Sequence, residues 1–172
     1  MDYLPEDLYK TITGAMPIAC VDLIPVRKVE DVYQIGVITR ATGPESGRQA
    51  VLGGRIYLSE TIADSISRHL KANLGISTYS FLEGNEVARP FYVQQYFRSE
   101  TAEPPYGYDP TKHAIALTYL IKFQETAKPV NEASAFYWIK SDDVPKSSAY
   151  NQHLVMMKTF KFLLARDQIA GS

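Results

Sequence analysis

A chain of 172 residues, 45% hydrophobic and 22% charged, is long enough to bury a core without a disulfide or metal staple. Its formal net charge of −1 gives no general attraction for nucleic acid or an anionic membrane, so neither is expected as a partner. The single cysteine, Cys20, rules out an intrachain disulfide and stands in an apolar run, where a buried small hydrophobe in a reducing, cytoplasmic setting is expected.

The N-terminus is acidic, with neither a basic leader nor an apolar signal core, and is read as mature protein. A helix is predicted over residues 1–16, with Leu4, Leu8 and Ile12 on one stripe and Gly14 and Pro17 ending it. Two β-branched runs follow, Ile18 to Val26 and Val32 to Thr39, and the charged connection Arg27 to Asp31 suits a hairpin turn. A polar loop, Ala41 to Arg48, precedes a short strand expected at Gln49 to Leu52. The next helix is well signalled. Thr61 and Asp64 form a capping-box pattern, Gly75 stands where a left-handed residue ends a helix, and Ile62, Ile66, Leu70 and Leu74 make its apolar stripe.

Further strands are predicted at Thr78 to Leu82, Phe91 to Phe97, His113 to Phe123 and Ala133 to Ile139, and a last amphipathic helix over 151–168. The connection Arg98 to Lys112, with Pro104 and Pro105, is long for a link between strands, which points to a lid or a dimer contact. No repeat or composition shift divides the chain, so a single domain over 1–172 is expected.

Residues 54–76 resemble a degenerate Nudix box, the loop-helix signature G-x5-E-x7-R-E-U-x-E-E-x-G-U of pyrophosphate-cleaving enzymes. Gly54, Glu60, Arg68, Leu70, Gly75 and Ile76 occupy its fixed positions, whereas His69, Ala72 and Asn73 replace the three metal-helix glutamates. The opening Leu4 to Ile24 and the ending Ala72-Asn73-Leu74-Gly75 are similar to GDP-mannose mannosyl hydrolases. Pro17 to Val26, Phe91 to Phe97 and Asp109 to Tyr119 resemble more closely an uncharacterised, mostly actinobacterial family of Nudix-related proteins. The resemblance implies an α/β class, namely an α/β/α sandwich with a mixed central sheet. In the mannosyl hydrolases a histidine precedes a strand ending in Trp; here Asn131 to Trp138 holds no histidine, and Glu132 is the titratable substitute.

Nudix enzymes gather carboxylates on one helix face because Mg²⁺ and Mn²⁺ take oxygen ligands and must bridge a diphosphate. Only the Asn73 amide and the backbone carbonyl near Gly54 remain as oxygen donors on that face, so no cofactor is dictated and Mg²⁺ has a weak site. A Zn²⁺ centre shared by His69 and His113 lacks further ligands.

Glu60 and Arg68 match the positions that brace loop and helix, and are read as a structural pair. Glu60, His113 and Glu132 are the candidates for acid–base chemistry. Arg40, Arg55 and Lys112 are phosphate candidates, because guanidinium and ammonium groups complement phosphate oxygens. Tyr92, Gln94 and Tyr96 share one strand face, which either stacks and bonds a base or sugar through Gln94 and Tyr96 or packs under the adjoining helix; Asn73 and His113 are further ligand-binding candidates.

These residues predict a protein that binds a nucleoside diphosphate derivative, a sugar nucleotide or dinucleotide, with metal-dependent hydrolysis lost or much reduced. The alternatives are a hydrolase with a non-standard site, and a structural or partner-binding module. A homodimer is expected from the aromatic surplus, 12 Tyr and 7 Phe, and from the unpartnered stripe of the first helix.

Overall fold

The computed structural model describes residues 4–83, 86–99 and 106–170. In chain order the elements are α1 (Glu6–Ala15), β1 (Ile18–Val29), β2 (Val32–Arg40), β3 (Gln49–Ala50), β4 (Leu52–Arg55), α2 (Ile62–Leu74), β5 (Ser80–Phe81), β6 (Tyr92–Phe97), β7 (Gly107–Tyr108), β8 (Ala114–Lys122), β9 (Ala133–Ile139) and α3 (His153–Ala170). Strand order is β3-β2-β1-β8-β6-β7, with β4 beside β1, β5 beside β8 and β9 beside β2. The sheet is mixed: β1 and β8 run parallel from Ile18↔Ala114 to Pro25↔Ile121, while β1 pairs antiparallel with β2 and β4.

Strand alternation assigns the two faces of β1 to different helices. Val21 and Leu23 pack with Ile66, Leu70 and Leu74 of α2, whereas Ile24 and Val26 pack with Val155, Met156, Phe160 and Leu163 of α3. The expected α/β architecture is therefore present, with α2 and α3 on opposite faces of a curled sheet.

The box helix begins and ends as predicted. Thr61 accepts from the Asp64 N–H while Asp64 accepts from the Thr61 N–H, and Gly75 is left-handed at φ 69°.

Other expectations need correction. β1 runs on to Val29, and the turn is only Glu30–Asp31, both at positive φ, because Val29↔Val32 closes a two-residue hairpin. The strand expected at 49–52 is split at Val51: β3 pairs with β2 and β4 with β1, so Gly54 lies in a strand. In the stripe of the first helix Leu4 and Leu8 are exposed, in keeping with its reading as unpartnered, and Thr13 is the buried residue of α1. β7 was not foreseen. In the long connection before it, residues 100–105, including Pro104 and Pro105, lie outside the described residues, as do residues 1–3 of the predicted first helix. Among the described residues, no helix is long and apolar enough to cross a membrane.

Candidate functional site

Small residues on one face of the sheet leave room for a cavity of about 400 Å³. Cys20 and Asp22 of β1 lie beside Gly53 and Arg55 of β4, and Cys20 beside Ala116 of β8; Ala114 and Ala116 in turn lie beside Tyr96 and Gln94 of β6. Leu4, Glu6 and Tyr9 from α1 and its approach, Arg40 from the end of β2, Lys112 before β8, Glu132 before β9, and Tyr150 and Gln152 before α3 also line it.

The three residues expected to bind phosphate, Arg40, Arg55 and Lys112, thus line one cavity. A register shift between Thr39 and Arg40 in the β2–β9 ladder marks where Arg40 leaves the regular strand. Its guanidinium lies 5.0 Å from the centre of the Tyr150 ring, and its buried Nε has no hydrogen-bond partner among the described residues. Arg55 lies over the rings of Tyr9, at 4.8 Å, and Tyr57, at 5.2 Å. The Lys112 ammonium is held 2.6 Å from Asp109, whose other oxygen accepts from the N–H and hydroxyl of Thr111. Glu132 also faces the cavity.

Other expected residues are placed elsewhere. Asn73 is buried and spent on backbone: its Nδ2 donates to the His69 carbonyl at 3.1 Å and its Oδ1 accepts from the Glu132 N–H at 3.2 Å. It ties α2 to the entry of β9 and is not in the cavity lining. His113 lies flat on Phe97, 4.6 Å between centroids, outside the lining, and its buried Nε2 finds no partner among the described residues. Gln94 is buried and donates to the Gln95 carbonyl, while Tyr96 alone of that pair lines the cavity.

Glu60 serves the clamp. Arg68 Nε donates to Oε1 at 2.6 Å and Nη2 to Oε2 at 2.8 Å, Tyr57 N–H adds a third bond, and Nη2 also reaches the Arg55 carbonyl. The Arg68 bond, helped by Tyr57, brings the Glu60 carboxyl down to about 2 against the cost of burial. This geometry supports a role in holding the loop to α2. Arg68→Ala is accordingly expected to cost about 2–3 kcal/mol in unfolding free energy, since it strands a shielded carboxylate. The pair stabilises above the ordinary carboxyl value of 4.5 and loses that effect as pH falls toward about 2, so the deficit of the variant should shrink over that range in urea titrations. An unchanged unfolding midpoint at neutral pH would oppose this role.

His69 of α2 is packed on the backbone. A Cβ on Gly54 would lie 2.7 Å from the His69 ring, and His69 Nε2 is 3.4 Å from the Arg55 carbonyl. Burial, and then the Arg68 charge, lower His69 to about 4, so the ring is neutral at physiological pH. With Ala72 beside it and Asn73 committed to backbone, this helix face does not fit a bridging divalent ion. Among the described residues no three His, Cys, Asp or Glu side chains are grouped to hold a metal.

The most unusual group is Asp22, which was not singled out from the sequence because it stands inside an apolar strand. Its Oδ2 accepts from the Tyr96 hydroxyl at 2.5 Å; that hydroxyl accepts from Gln152 Nε2 at 3.1 Å, and Gln152 Oε1 accepts from the Val51 N–H at 2.9 Å. Burial pushes the carboxyl up to about 6, against the Tyr96 bond and the Lys112 charge. Beside it, burial raises the Cys20 thiol to about 12, so it stays protonated. Tyr150, also unforeseen, sits at φ 56°, a costly conformation for a bulky residue, with its ring edge-on to Tyr96. An acid in an apolar run was the available sequence signal for Asp22; none marked Tyr150.

The sequence pattern of the family described as Domain of unknown function (DUF4916) matches residues 2–168. Among curated proteins none matches. A solved Jonesia denitrificans protein, described as a possible asymmetric diadenosine tetraphosphate (Ap4A) hydrolase, is similar at TM-score 0.68 and 26% identity, over 83% of this chain and 91% of that one. The NUDIX domain of Shewanella oneidensis NrtR, solved with ADP ribose, is similar at TM-score 0.59 and 14% identity over 94% and 99%. The Ap4A hydrolase of C. elegans is similar at 0.65 and 14% over 86% and 98%. The fold is that of Nudix hydrolases.

Proposed function

We propose that this chain, which belongs to the DUF4916 family, uses its cavity to bind a nucleoside diphosphate derivative, and that metal-dependent hydrolysis of the Nudix kind is lost or much reduced. The observation that carries the reading is the meeting of Arg40, Arg55 and Lys112, from three separate segments, around one cavity of about 400 Å³. That size suits a small ligand. Arg40 supports it most strongly, because a buried guanidinium nitrogen without an acceptor is costly unless an anion completes it. ADP ribose in the Shewanella NUDIX domain and the Ap4A-hydrolase descriptions of two similar structures make nucleotide derivatives the ligand class to test first. Tyr96 and Tyr150 supply aromatic surface for a base or sugar.

The second half of the reading is supported by His69 and Asn73, whose side chains are occupied by protein contacts where metal-binding carboxylates would be needed. A hydrolase with a non-standard site is the second reading, favoured by one specific observation: Asp22 and Glu132 both face the cavity and either could move a proton.

Arg40→Ala tests the binding claim. Calorimetric titration with ADP ribose at fixed ionic strength is expected to show affinity reduced by about tenfold or more, the loss of a charge-assisted contact, with the circular dichroism spectrum unchanged. Equal affinity of variant and parent would contradict a phosphate role for this cavity.

A further inference from the structure

The lining cations Arg40, Arg55 and Lys112 are half-buried, whereas the lining carboxylate of Asp22 is buried. Leu4 on the rim is 43% exposed, whereas Asp22, Tyr96 and Gln152 are only 5%, 4% and 6% exposed. Lys112 makes its ion pair with Asp109, so Asp22 has no direct cationic partner among the described residues.

The relay from Val51 through Gln152 and Tyr96 fixes Oδ2 and uses the phenolic hydrogen. Oδ1 carries no hydrogen bond among the described residues and lies beside Gly53, where an added Cβ would come within 2.9 Å of it. Together with Ala114 and Ala116, this glycine keeps the space around the carboxylate open. A negatively charged, acceptor-rich floor repels phosphate and takes a hydrogen-bond donor.

We propose that Asp22 determines the specificity and orientation of binding: its Oδ1 accepts from an N–H or O–H donor at the non-phosphate end of the ligand, with Tyr96 and Gln152 as positioning residues, while Arg40, Arg55 and Lys112 hold the phosphates. The proposal rests on the nucleotide-binding reading above and adds the chemistry of the inner end. The donor is an amine of the base or a hydroxyl of a sugar.

Calorimetric titrations of the parent, Asp22→Asn and Tyr96→Phe with ADP ribose, ADP, IDP and inorganic pyrophosphate test it. Asp22→Asn replaces an acceptor by an amide of the same shape, and is expected to weaken ADP ribose by about tenfold or more while leaving pyrophosphate unchanged. Loss with ADP ribose and ADP but not IDP identifies the base amine; loss with ADP ribose alone identifies the terminal sugar; loss with all three nucleotides identifies a hydroxyl of the nucleoside. Tyr96→Phe, which keeps the carboxylate but frees it to turn, is expected to weaken ADP ribose by about threefold or more, and decides the matter if Asp22→Asn fails to fold. ADP ribose binding unchanged in the readable variant, or pyrophosphate weakened as much as ADP ribose, overturns the proposal. A parent that binds none of the nucleotides removes the underlying reading and this proposal with it. Binding of all nucleotides that fails only in Arg40→Ala leaves the reading and overturns the proposal.

Discussion

Asp22→Asn is expected to make the protein more stable, by about 2 kcal/mol at neutral pH. Burial raises this carboxyl from 3.8 to about 6, so the ionised form carries a penalty of about 3 kcal/mol, of which an imperfectly bonded amide recovers most. The pH dependence makes the prediction specific. The folded state holds the Asp22 proton more tightly than the unfolded chain, so its contribution is most favourable below about pH 4 and declines as pH rises through about 6. His69 acts in the opposite sense. Its folded value of about 4 lies below 6.5, so it stabilises fully above 6.5 and loses that effect as pH falls toward 4.

These two slopes oppose each other over almost the same range. The parent is therefore expected to show a nearly level unfolding free energy between about pH 4 and 6.5 in urea titrations. Asp22→Asn should expose the His69 slope, with stability rising with pH, and His69→Gln should expose the Asp22 slope, with stability falling. A less stable Asp22→Asn protein at neutral pH, or parallel profiles in all three, would contradict the placement of these groups. A residue that lowers stability at working pH and yet sits in a cavity has the character of a functional group.

The second large expected effect concerns metal. A Nudix-type centre bridges the diphosphate with Mg²⁺, and removing the ion from such a site abolishes turnover and much of the binding. Here the box helix presents His69 packed on Gly54, Ala72, and an Asn73 that bonds the His69 carbonyl and the Glu132 N–H. Cations that could replace the metal charge are protein-borne: Arg40, Arg55 and Lys112 in the cavity lining. Ligand affinity is therefore expected to be the same, within about twofold, in Mg²⁺ and in chelator, and turnover is expected to be undetectable against orders-of-magnitude acceleration by an intact centre.

Much of the framework was legible because its signals are local. The capping box of Thr61 and Asp64, the left-handed Gly75 and the aromatic run in Ala133–Ile139 each specify structure within a few residues. The Glu60–Arg68 clamp was legible too, eight residues apart and bridging a single loop. Asp22 was not, because its meaning comes from Tyr96, 74 residues on, and from Gln152, which only the sheet register and the start of α3 bring together. His113 was expected to serve acid–base chemistry or ligand binding; the stacking on Phe97 that keeps it out of the cavity lining depends on the pairing of β6 with β8. Asn73 reads as a metal ligand only if its amide faces outward, and the chain entering β9 captures it instead.

The measurement that bears most directly on the account is a titration of the full chain with ADP ribose and with Ap4A, once in Mg²⁺ and once in chelator, followed by chromatography of the same samples. The account predicts saturable binding of equal affinity in both, with the nucleotide recovered intact. Metal-dependent release of AMP or other cleavage products would contradict it, and so would binding that appears only when Mg²⁺ is present.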